Sequence, residues 1–234
     1  MIAKQQNVAC KAVADQAAMN PLWADYSTYC LLREEGMRQE AFNRLSRFID
    51  SAAKWDFAEQ KEFVLWLCGL MDSVRDADYG PFPQPVRDRI FRPFFDAWIS
   101  REPTNDDALV LKARYLGDHW DYAAALAVNP DNQRARRALA LDCIGDIDHA
   151  THHLPEYFIG EPRELKQVAE QAREHIGQIT DPQVSALLTA ELAASEGLLN
   201  DWIAYQQAPI GGFDDWCLSR GRKYKWVKAY CYDR

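Results

Sequence analysis

A chain of 234 residues with 48% hydrophobic side chains can bury a substantial core, as one large helical domain or two small ones, which excludes wholesale disorder. The net charge of −8 is unevenly placed, because residues 220–234 hold six Lys/Arg and one acid and leave 21 bases against 34 acids before them. An acidic body of this kind repels nucleic acid and favours basic protein partners; the longest apolar run, nine residues from Phe63 to Met71, falls short of the roughly 18 a membrane span needs.

Apolar residues recur at helical spacing almost throughout, and no segment alternates as a sheet would, so the expected class is all-α. A first helix is predicted over Ala3 to Met19, ended by Asn20-Pro21, and a second over Leu22 to Glu35, ended by Gly36. The third, Arg38 to Ala53, places Ala41, Leu45, Phe48, Ile49 and Ala52 on one face. Asp56 with Glu59 reads as a capping box opening a long, central helix to Ala77.

Three prolines between Gly80 and Pro85 cannot be helical and mark a connector between two helical regions. Beyond it, Val86, Ile90, Phe94 and Trp98 form a stripe over Val86 to Ser100, with a kink or break expected at Pro93. Shorter helices follow, with breaks near Pro103, Gly117, Asn129-Pro130, Gly145 and Pro155 and with Thr104 and Asp131 as caps. Two longer helices close the set. Pro162 to Ile179 carries the stripe Leu165, Val168, Ala169, Ala172 and Ile176, and Pro182 to Gln207 is capped by Asp181 and ended by Pro209 to Gly212. The chain is thus read as hairpins over 1–79, a connector at 80–85, a repeat region over 86–219 and a basic aromatic tail at 220–234, together one continuous unit.

Several turns share a pattern in which Gly ends one helix and a small or apolar residue starts the next inner face five positions on. Gly36 leads to Ala41, Leu45 and Phe48, and Gly145 to Ala150 and Leu154; Gly117 and Gly197 are looser copies, before Ala123 and Trp202. The run from Gly36 to Phe48 resembles the middle of a tetratricopeptide repeat, and Asn129-Pro130-Asp131-Asn132 resembles the turn between such repeats. The resemblance covers about a third of the chain, without a clean period of about 34 residues. It implies antiparallel helical hairpins stacked as a short α–α superhelix whose concave face binds proteins or peptides.

Asp142, Asp146, His149 and His153 would form one polar stripe on an unbroken helix, able to hold a metal for a hydrolase-like enzyme. A break at Gly145 and the lack of a second ligand set argue instead for a solvated face. Asp72, Asp76 and Asp78, with Arg75 among them, read as a charged helix end rather than a Mg2+ site. The tail interleaves Arg220, Arg222, Lys223, Lys225 and Lys228 with Tyr224 and Trp226, a composition that suits nucleic acid. It suits better a segment docked on the acidic body, burying Trp226 and Tyr230.

No nucleophile elbow, cysteine-protease signature or phosphate loop is present, and no cofactor is expected. The six cysteines, Cys10, Cys30, Cys68, Cys143, Cys217 and Cys231, have no metal or redox spacing and predict reduced thiols in a cytoplasmic protein. Residues 1–7, with one Lys and three amides, do not read as a secretory leader. The expected function is therefore non-enzymatic: binding of a protein or peptide, a basic one by charge, as a regulator or antidote. Trp23, Trp55, Trp120 and Trp202 are the candidate contacts wherever they are exposed, although tryptophans of this kind are more often core.

Overall fold

The computed structural model describes residues 2–73 and 80–226, with side chains from Cys10 onward. The expected helix end at Ala77, together with Arg75, Asp76, Asp78, Lys228, Tyr230 and Cys231, lies outside the described residues. The described residues hold helices and no strand, and no helix among them is long and apolar enough to cross a membrane. They fall into two compact units that divide between Asp121 and Tyr122, rather than at the 80–85 loop.

The first unit begins with α1 (Ile2–Ala17), α2 (Ala24–Glu34) and α3 (Arg38–Ala52), each packed on its neighbour. Gly36, at φ 79°, makes the turn between α2 and α3, a conformation that costs other L-residues dearly. The expected face of α3 is buried in full, and Ala41 at the turn leaves room for α2 to approach. α4 (Phe57–Ser73) opens on the expected capping box: Glu59 donates its N–H to Asp56 Oδ1, and Asp56 donates its N–H to Glu59 Oε2, both at 2.9 Å.

The 80–85 loop is fastened to the core of this unit. The Tyr29 hydroxyl donates to Gly80 O at 2.7 Å and the Tyr26 hydroxyl to Pro81 O, while Phe82 lies buried against Phe91. Both phenols are held well above their ordinary pKa, chiefly by burial. α5 (Gln84–Val86) then runs through a π turn at Arg87–Phe91 into α6 (Arg92–Arg101), and the stripe Val86, Ile90, Phe94 and Trp98 is buried along its whole length. The break expected at Pro93 is instead this widened turn, in which the Arg92 N–H reaches back to Arg87 O.

α7 (Asp106–Leu116) is capped by Asn105, whose side chain accepts the Asp107 N–H at 3.1 Å; the predicted cap, Thr104, is one residue early. Gly117, at φ 75°, ends it, and α8 (Trp120–Val128) follows across the division between units. Lys112 braces this end of the unit, 3.3 Å from both Asp96 and Asp121.

In the second unit, α9 (Gln133–Thr151), α10 (Pro162–Gly177) and α11 (Pro182–Gln207) pack on one another, and α12 (Phe213–Ser219) turns back on α11. Asn132, not the predicted Asp131, caps α9 by accepting the Ala135 N–H at 2.8 Å. Asp181 caps α11 as expected, and Pro182 takes its first position.

The sequence reading fails at Gly145, which lies inside α9 and makes no turn; Gly197 lies inside α11, as the predicted helix over Pro182 to Gln207 requires, and only its copy of the turn pattern fails. Glycine in a helix interior costs about 1 kcal/mol against alanine. Ile144 and Ile147, buried on either side of Gly145, contribute about 1.5–3 kcal/mol each, so burial overrides the breaker.

Candidate interaction surfaces

With α9 unbroken, Asp142, Asp146 and His149 share one helix, and His153 lies just past its end. Among the described residues no three His, Cys, Asp or Glu side chains gather as a metal centre requires. The histidines pack on each other instead. His149 stacks on His152 with ring centroids 5.1 Å apart, His152 lies 3.9 Å from His153, and His153 stacks on Tyr157 at 4.4 Å.

Asp72 is engaged rather than poised for chemistry: it accepts from the Tyr115 hydroxyl and pairs with Arg114 at 2.6 Å, tying the end of α4 to α7. Burial, then this hydrogen bond, raises the Tyr115 pKa.

Of the four tryptophans singled out in the sequence, Trp23 and Trp55 are core residues, 5% and 8% exposed, and are corrected as surface contacts. Both pack on Phe63, at 5.5 and 5.9 Å between centroids, because an indole next to a helix end finds more apolar area in the core than at its rim. Trp120, at the first position of α8, is 88% exposed. Trp202 is half-buried, and its Nε1 is enclosed without a hydrogen-bond partner. In the first unit, Met19, Pro21, Trp23 and Trp66 line a groove of about 450 Å3 with Glu62 at its rim.

The most developed surface surrounds Asp201 on α11. From Glu174 to Ser219 the chain carries seven acids and no Lys or Arg. A turn with Gly211 at φ 71°, whose carbonyl accepts from the Tyr205 hydroxyl at 2.8 Å, brings α12 back. Phe213, Trp216 and Cys217 thereby pack with Leu154, Phe158, Leu198, Trp202 and Tyr205. Burial, then the nearby Asp201 and Asp214 carboxylates, raises the Cys217 thiol to about 11, so it stays protonated at neutral pH.

Gly221, at φ 73°, then reverses the chain once more, and residues 222–226, without regular secondary structure, return to this surface. Arg222 Nε is 3.3 Å from Asp201 Oδ2, and the Tyr224 hydroxyl donates to the same oxygen at 2.5 Å. Trp226 packs on Phe213 at 5.7 Å, while Arg220 lies 4.0 Å over the Trp216 ring. Lys223 and Lys225 point to solvent. Tyr224 and Trp226 thus turn toward the surface between the exposed Lys223 and Lys225, and Arg222, itself exposed, reaches Asp201 with its guanidinium. The expected docking of the tail on the acidic body is seen for these residues.

Asp201 escaped the sequence reading. Its only signal was indirect: a long stretch without bases that ends in a run of alternating bases and aromatics. No family model, curated protein or solved structure matches the chain, so these surfaces rest on their own geometry.

Proposed function

We propose that this chain is a non-enzymatic helical-repeat protein of the cytoplasm that binds a basic protein or peptide partner, as a regulator or antidote that masks it. The observation that carries the reading is the base-free tract from Glu174 to Ser219, in which Glu191 on α11 and Asp215 on α12 are exposed and no Lys or Arg accompanies them, beside an aromatic cluster. The tetratricopeptide-like arrangement draws support from the α2–α3 hairpin at Gly36 and from the turn over residues 129–132, where Asn129 accepts the Asp131 N–H. The unbroken passage of α9 and α11 through Gly145 and Gly197 limits how far a regular repeat could extend.

Immobilised full-length protein should retain a basic partner from native lysate at low salt, with retention falling as ionic strength rises past about 0.15 M. Glu191→Gln with Asp215→Asn, both at exposed positions, should weaken that retention. No retained partner at any salt, or equal retention by the neutralised variant, would count against the acidic-surface reading.

A further inference from the structure

We infer that the surface around Asp201 is a recognition site for peptide segments in which basic and aromatic residues alternate, and that residues 222–226 of the chain's own tail are its resident occupant. The inference rests on the binding reading above and names the chemistry of the partner: Arg or Lys, an aromatic residue two positions on, and a second aromatic two beyond that.

Three features make this a site rather than a plain terminus. First, the contacts are made by alternate side chains. Asp201 takes both Arg222 and Tyr224 on one oxygen, and Phe213 takes Trp226, so the residues at 222, 224 and 226 supply the contacts while Lys223 and Lys225 are left exposed.

Second, the hold is through side chains. Residues 223–226 make no backbone-to-backbone hydrogen bond among the described residues, and the last such bond joins the Arg222 N–H to Cys217 O at 2.9 Å. Third, the two partners differ in exposure with the tail in place, which leaves the ligand half the easier to exchange. The Asp201 side chain is 13% exposed, whereas Arg222 is 62% exposed and trades its ion pair for water at little cost. Gly221 supplies the pivot.

A tethered occupant acts at an effective concentration of order millimolar, so it masks the site from weaker external segments. A partner segment with the same alternation displaces the tail, and the acidic tract around it repels no base of the incoming chain.

The test uses full-length protein and a fluorescently labelled peptide with the sequence of residues 221–226, read by anisotropy. Arg222→Ala with Tyr224→Phe removes the tail's hold on Asp201 and should tighten peptide binding about tenfold over the wild type. Adding Asp201→Asn to that variant should abolish the gain, and a peptide of the same composition with Arg, Tyr and Trp at adjacent positions should bind at least several-fold more weakly.

If circular dichroism shows the double variant misfolded, Arg222→Ala alone carries the same expectation at about threefold. Peptide binding that is no tighter than wild type, indifferent to Asp201→Asn, or equal for the rearranged peptide overturns the inference. Retention of a basic partner from lysate alongside such a failure would leave the broader binding reading standing and move it to another surface.

Discussion

Where the first unit packs Trp23, Tyr26, Phe48, Trp55 and Phe63 ring against ring, the second packs Ala140, Ile144, Ile147, Ala172 and Leu192 between long helices. Rings fill volume with few residues, and in the first unit they gather helices of 10 to 17 residues around one aromatic centre. Alanines let backbones approach, so the second unit aligns helices of 19, 16 and 26 residues along apolar seams. Helices can thus make a core by bulk or by closeness. The tail lies beside these seams, on Asp201 and on a separate aromatic cluster that α12 makes with α11.

The sharpest probe of this contrast is truncation at the centre of each core. Phe63 touches Trp23, Tyr26, Phe48, Trp55 and Trp66, and Phe63→Ala should cost about 3–5 kcal/mol in urea unfolding. Ile147→Ala, in an aliphatic seam able to relax, should cost about 2–4 kcal/mol. The reverse order would break the comparison.

Glycine gives a second probe, of smaller size and opposite signs. Gly36→Ala should destabilise by about 1–2 kcal/mol, since φ 79° suits no side chain, even though a Cβ there meets nothing within 4 Å. Gly145→Ala, helical and equally open, should stabilise by about 0.5–1 kcal/mol in thermal melts.

The mildest probe is pH. Burial, then the nearby Arg136 cation, holds His175 below its ordinary pKa, with Glu174 opposing in part. As pH falls from about 6.5, the unfolded chain takes up this proton first. The stability His175 contributes is therefore complete above that pH and is lost as pH drops through its lower folded value. His175→Gln should flatten the Tm of the second unit between pH 7 and 5; an unchanged slope would assign the pH dependence elsewhere.

Much of this was legible in the sequence wherever one local signal sufficed. The face of α3, the capping box at Asp56, the Asp181-Pro182 start of α11 and the stripe from Val86 to Trp98 all stand as read. The misses occur where two residues or two conformations were locally equivalent. Thr104 and Asn105, or Asp131 and Asn132, can each cap a helix, and the choice fell to whichever sits in extended backbone at the first turn. Gly36 and Gly145 are alike in sequence, but one is a left-handed turn and the other a helical residue between two buried isoleucines.

The candidate site was less legible than the fold. Trp202 was singled out, yet Asp201 beside it owes its importance to Arg222 and Tyr224 some twenty residues away, across a return of the chain that no local pattern announces. The tryptophan signal failed at Trp23 for a related reason: nothing in its neighbourhood tells that Phe63 and Trp66 of α4, some forty residues on, arrive to cover it.

The loop from Gly80 to Pro85 has carbonyls in plenty and, with three prolines, few N–H groups to tie itself down. Its moorings are Tyr26 and Tyr29, 55 and 51 residues earlier, so this stretch cannot settle before α2 is in place. Closing so long a span is slow beside the zipping of adjacent hairpins. A nascent chain that has formed α1 to α4 would therefore still trail an unmoored proline arm, with two phenols waiting for it.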